Sequence, residues 1–209
     1  MNQYFNQELP IFQFIYKTVL VILIGVLTFI LCLFLIPAGP ALTSLYDTIQ
    51  KSVVQENGDI IKTYFRSFRN NFKDSFLAVA IMIGYAVIIG GGTYFSTVLS
   101  KQTGSLQLYR FIIGALFIPL FIIFPYIFPL ISRFTFSIKE YFILSYYLSI
   151  KYFLNTILFC ILIYGTILLI VMIPQALGIA FALPGIICFI ISIKMEKILN
   201  DMEKKMVKE

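Results

Sequence analysis

The sequence predicts an all-α fold: a polytopic membrane helical bundle of about five transmembrane helices, with a cytosolic helical hairpin between spans 1 and 2. Three observations carry this. Hydrophobic residues make up 60% of the 209 residues and charged residues 12%, against about 45–50% and about 25% in soluble domains. The apolar residues gather into charge-free runs that meet the roughly 17–25 residues a helix needs to cross a bilayer. The cations lie mostly on one side of those runs, the mark of oriented insertion. The whole chain, 1–209, reads as one membrane domain.

The first run, about 18–36, follows Lys17 and has no small-residue cleavage pattern behind it, so it reads as a retained span. Pro37-Ala38-Gly39-Pro40 ends it, and Pro40 suits the first position of a new helix. Leu42, Leu45, Tyr46, Ile49 and Val53 then recur at spacings of three and four, which makes one helical face. Asn57-Gly58 signals a turn, and Asp59 suits an N-cap. The next helix, about 60–73, carries Ile61, Phe65, Phe68 and Phe72 on one sector and Lys62, Arg66, Arg69 and Lys73 on the sector beside it. An aromatic stripe next to a basic one suits either the lipid headgroup level or an acidic partner. Residues 41–74 thus form the cytosolic helical segment.

The second span covers about 75–99 and the third about 111–132. Gly90-Gly91-Gly92 in the second suits close helix approach or a hinge, and Pro119, Pro125 and Pro129 in the third suit a bend. The charge-free stretch from Tyr152 to Ile193 is long enough for two spans, about 152–173 and 176–193, with Pro174-Gln175 as the break. The tail, 194–209, is basic. With five spans, Lys51, Lys62, Arg66, Arg69, Lys73, Arg133, Lys139, Lys151 and the tail lysines share one side, and only Lys17, Lys101 and Arg110 lie on the other. The basic side is cytosolic, which places the N-terminus outside and the C-terminus in the cytosol.

Composition also excludes classes of chemistry. Histidine is absent, which removes the commonest general base and metal ligand. Cys32, Cys160 and Cys188 are scattered in apolar runs without ligand spacing. There is no phosphate-binding loop pattern. Asp47, Asp59 and Asp74 read as caps or flanks, and no charge sits mid-span, against an ion-driven pump. Tyr85, Tyr94, Tyr126 and Tyr164 suit either bonds between helices or a cavity lining. The expectation is a non-enzyme with no catalytic residue, metal, cofactor or nucleic-acid partner.

The stretch Pro37-Ala38-Gly39-Pro40-Ala41-Leu42-Thr43-Ser44-Leu45-Tyr46, followed by Tyr64-Phe65-Arg66-Ser67-Phe68-Arg69-Asn70-Asn71-Phe72-Lys73, resembles the YesL family of bacterial membrane proteins. Gly39, Pro40, Tyr46, Phe68, Asn71 and Phe72 carry the match. The resemblance implies a bacterial plasma-membrane protein encoded near carbohydrate ABC importers, with no assigned chemistry. The functional expectation is therefore an accessory integral membrane subunit of an oligosaccharide ABC import system. Its partners would be the lipid bilayer and the permease or ATPase subunits. Lys62, Phe65, Arg66, Phe68, Arg69, Phe72 and Lys73 would make the partner or headgroup contact. The alternative is a small independent transporter or channel for a neutral solute, which needs a polar pathway at the midplane.

Overall fold

A computed structural model describes residues 10–55, 59–103, 112–172 and 183–206. Every regular element among them is helical: α1 (Pro10–Cys32), α2 (Leu35–Thr48) with a π-helical extension (Ile49–Val54), α3 (Ile60–Asn70), α4 (Phe72–Thr103), α5 (Ile118–Arg133), α6 (Ile138–Lys151), α7 (Phe153–Met172) and α8 (Leu183–Met206). The turn at Asn57-Gly58 and the break at Pro174-Gln175 lie outside the described residues.

The first apolar stretch is not one helix. It breaks at Leu33–Phe34, where Phe34 is extended and caps α2. The cause is Pro37. In an unbroken helix it could not donate to the Leu33 carbonyl, and its ring would clash with that carbonyl. Restarting at Leu35 puts Pro37 in a first turn, where the missing N–H is no loss. Pro40 accordingly lies inside α2 rather than at its start. The chain turns back here: Val21 and Ile24 of α1 share a buried cluster with Leu45 and Ile49 beyond the break and with Tyr64 of α3. Leu33, Phe34, Leu35 and Ile36 are all exposed at the tip.

α2 is the centre of the bundle. From Gly39 to Gln50 every residue but Leu42 is buried. One side, with Leu45 and Ile49, packs on α1 and α3. The other, with Tyr46, joins the larger core of Ala78, Met82, Tyr126, Leu130, Leu148, Phe159, Met195 and Leu199, which come from α4 to α8. Buried polar side chains usually find partners; along this run Thr43, Ser44 and Asp47 do, while the Tyr46 and Thr48 hydroxyls and the Gln50 side-chain oxygen have none among the described residues. Thr43 donates to the Gly39 carbonyl at 3.1 Å and lies 2.7 Å from the Ser75 hydroxyl. Ser44 donates to the Pro40 carbonyl at 2.6 Å. The buried Asp47 pairs with Lys51 one turn on, at 2.7 Å.

α5 keeps its prolines within a helix by borrowing from neighbours. Pro125 cannot donate to the Phe121 carbonyl, and that carbonyl accepts the Tyr164 hydroxyl of α7 at 3.0 Å. Near Pro119, the Leu116 carbonyl accepts Tyr85 of α4 at 3.0 Å. α6 and α7 meet at a 105° bend. The bend leaves the Ser149 carbonyl without its helical donor, and the Thr156 hydroxyl donates to it at 2.8 Å. The Tyr126 and Thr156 hydroxyls lie 2.8 Å apart. Three of the four tyrosines left open by the sequence therefore bond between helices, and Tyr94 is exposed.

Two described helical stretches are long and apolar enough to cross a membrane, Phe72–Val98 and Ile112–Arg133, and the bent pair Ile138–Lys151 with Phe153–Leu168 makes up to three. The expected count of five is thus larger than length and composition of the described helices support. The apolar part of α1, Lys17–Cys32, is a shorter helix.

Candidate functional site

α3 presents three sectors. Thr63, Tyr64 and Ser67 are its buried face, and Tyr64 and Thr28 of α1 have their hydroxyls 3.0 Å apart. Ile61 and Phe65 form an exposed apolar sector, continued past Asn71 by Phe72 of α4, with the half-buried Phe68 at its edge. Lys62, Arg66, Arg69 and Lys73 form an exposed basic sector beside it. The aromatic stripe does not pack on the preceding helix; the small polar face does, because only Thr, Ser and one Tyr let α3 lie close along the crowded α2. Rings continue the stripe into the next helix: Phe68 meets Phe72 edge-on at 5.6 Å, and Phe72 stacks on Phe76 at 6.2 Å. Asp59 takes the N-cap position without a side-chain cap bond. Its carboxylate pairs instead with Lys62 at 3.0 Å, both groups being well exposed, so Arg66, Arg69 and Lys73 are the cations left unpaired among the described residues of this stripe.

The other motif residues serve packing and helix joining. Gly39 stands where α2 crosses α4: a Cβ there would meet the Ser75 carbonyl oxygen at 2.4 Å. Pro40 lies one turn inside α2, its carbonyl taken by Ser44. Tyr46 is buried with its hydroxyl unpartnered among the described residues, and burial holds its phenol well above the ordinary tyrosine range. Asn71 joins α3 to α4, its side chain donating to the Ser67 hydroxyl at 3.1 Å while its carbonyl accepts the Ser75 N–H at 3.0 Å. Gly39, Pro40, Tyr46 and Asn71 thus sit in the packing of the bundle, while Phe68 and Phe72 belong to the aromatic stripe.

A second polar centre was not legible in the sequence. Arg133, at the end of α5, donates to Glu196 at 2.8 Å, Asn200 at 2.6 Å and Glu203 at 2.5 Å, all on α8. Beside it, Asp201 accepts from the Tyr152 hydroxyl and lies 3.5 Å from the Lys151 ammonium. A groove of about 370 Å³ opens next to this cluster, lined by Tyr152, Asn155, Lys194, Lys197, Ile198 and Asp201. These partners are far apart in the chain, and no local pattern announces them.

Among the described residues no group of three or more carboxylates or cysteines converges as a metal site would require. Cys32, Cys160 and Cys188 are unbridged. Among the described residues, a Cβ added at Gly90 or Gly91 would meet nothing within 4 Å, so no described helix approaches closely at these two glycines.

Over residues 14–91 the chain is similar to a family described as "Protein of unknown function, DUF624". That stretch holds most of α1, all of α2 and α3 and the first part of α4. No curated protein and no solved structure matches the chain.

Proposed function

We propose that the protein is a non-catalytic accessory subunit of a membrane import system, which engages its partner through α3. The observation that supports this reading is the outward face of α3, where Phe65, Arg66 and Arg69 are exposed on a helix whose inner face is locked to α2, continued by the exposed Phe72 and Lys73 at the start of α4. The exposed aromatics suit the acyl boundary of a bilayer, and the cations beside them suit an acidic protein surface held at that level. The resemblance to the YesL family points to the permease or ATPase of a carbohydrate ABC importer as that partner. By charge asymmetry, α3 and the C-terminal end of α8 lie at the cytosolic face of the bacterial plasma membrane.

A solute pathway of its own is the weaker reading. Many hydroxyls inside the bundle are spent on one another and on freed carbonyls, as in Thr43–Ser75, Tyr126–Thr156 and Tyr164–Phe121, and those of Tyr46, Thr48, Ser52 and Ser145, which have no partner among the described residues, do not line the groove described above.

The test is Arg66→Gln with Arg69→Gln. Losing two exposed cations costs about 1 kcal/mol each of attraction to anionic lipid, too little to release a bundle with this much lipid-facing surface. An acidic partner left unpaired at a desolvated contact loses about 2–5 kcal/mol per pair. Co-purification of the importer subunits in mild detergent should collapse while the amount of protein in the membrane holds. Undiminished co-purification rejects docking through α3 and leaves it a headgroup-facing helix.

A further inference from the structure

We infer that the groove between the start of α7 and the middle of α8 binds one anionic phospholipid, its phosphate held by Lys194 and Lys197 and an acyl chain lying along α8. Lys194 and Lys197 are exposed, stand one turn apart and make no ion pair among the described residues. The Tyr152 hydroxyl and the Asn155 amide share the groove with them. The one carboxylate in the lining, Asp201, already faces Lys151 and the Tyr152 hydroxyl, so the groove keeps a net positive character.

Position distinguishes a lipid from a free phosphate. α8 carries no charge from Leu183 to Ile193, and Lys194 is its first cation; α7 carries none, and the charge before it is Lys151 at the end of α6. The groove therefore sits where apolar helix bodies give way to charged ends, the level of phospholipid headgroups. Above it, Ile186, Ile190 and Ile193 are exposed at 39%, 42% and 48%. Their spacing of four and three places them on one helical face, and Lys197 falls four residues further on that same face. An apolar track that ends in cations matches a chain ending in a phosphate. Basic pockets between membrane helices at the cytoplasmic level recognise lipid headgroups by this combination. The inference depends on the membrane reading of the bundle but not on docking through α3, whose residues it does not use.

The experiment is native mass spectrometry of the delipidated protein in detergent, titrated with phosphatidylglycerol or with phosphatidylcholine of the same chains. The unmodified protein should retain one phosphatidylglycerol with at least a tenfold preference over phosphatidylcholine. Lys194→Gln with Lys197→Gln should lower that affinity about tenfold or more, whereas Lys139→Gln with Lys204→Gln, an equal loss of charge elsewhere, should leave it within about twofold. Equal retention of phosphatidylglycerol by both double variants overturns the site. Millimolar inorganic phosphate should fail to displace the lipid; displacement would mean that the groove reads phosphate alone, and would overturn the lipid. Ile190→Ser, which keeps both lysines, should weaken phosphatidylglycerol and leave any phosphate binding unchanged. No effect of that change would remove the acyl track from the proposal.

Discussion

α2 and α4 cross at Gly39 and Ser75 and are built in opposite ways. Along α2, the buried run from Gly39 includes Thr43, Ser44, Asp47 and Thr48. Along α4, the buried residues are Ser75, Ala78, Met82, Ile89 and Ser96, one narrow stripe down an otherwise exposed helix. The helix richer in polar groups is inside, and the one made of Leu, Ile, Val and Phe is outside. In water this would be an aggregating surface; against lipid it is the expected one, since acyl chains are as apolar as those side chains. Hydropathy along this chain therefore reports which solvent a helix faces, and burial must be read from size and bonding. Small residues let α2 be surrounded, and the Thr43 and Ser44 hydroxyls are tied to its own carbonyls or to a neighbour.

The sharpest way to break this comparison is at the crossing. Gly39→Val sets a branched side chain against the Ser75 carbonyl, which a Cβ alone would meet at 2.4 Å. Backbone cannot yield as a side-chain tip can, and we expect a loss of about 3 kcal/mol or more, seen as a collapse of folded yield and of thermal stability in detergent. A stable Gly39→Val protein would mean that α2 does not pack on α4 as described. Next in size is a pair of truncations. Leu45→Ala on α2, where the side chain is 2% exposed, should cost about 2–5 kcal/mol. Ile88→Ala on α4, at 75% exposed, should stay within about 0.5 kcal/mol. Equal losses in a detergent melt would show that α4 is covered by something other than lipid or detergent. The smallest effect is expected at Gly90, which has open space beside it. Gly90→Ala should stabilise by about 0.4–1 kcal/mol through the unfolded chain, and a destabilisation would reveal a close neighbour on that face.

Much of α3 was legible in the sequence, because a stripe needs only local spacing. Ile61 and Phe65 against Lys62, Arg66 and Arg69 keep the expected phase, but the expected helix 60–73 ends at Asn70, and Phe72 and Lys73 open α4. What the spacing does not carry is which face turns inward, since that depended on what α2 offers. For α2 itself, the spacing of Leu42, Leu45, Tyr46, Ile49 and Val53 suggests a single apolar face, but the structure sends Leu45 and Ile49 into one cluster and Leu42 and Tyr46 into the other, and the spacing gives no hint that the polar residues between them are buried as well. The reversal at Leu33–Phe34 hid inside an unbroken apolar run, because a proline disrupts the helix at the carbonyl four residues before it rather than at its own position. The Arg133 cluster was out of reach, its partners being 63 to 70 residues away.

The Tyr164–Phe121 bond has a consequence for how the chain can change over generations. Pro125 frees a carbonyl in α5, and Tyr164 in α7 supplies the donor, so neither residue is neutral by itself. Losing the tyrosine first leaves the carbonyl only the weaker Cys160 thiol, 3.7 Å away, as a donor. Losing the proline first restores an amide donor within α5 and leaves the tyrosine hydroxyl to find other company. The two positions are yoked, and an inherited path from proline to alanine must pass through position 125 before position 164 is free to drift.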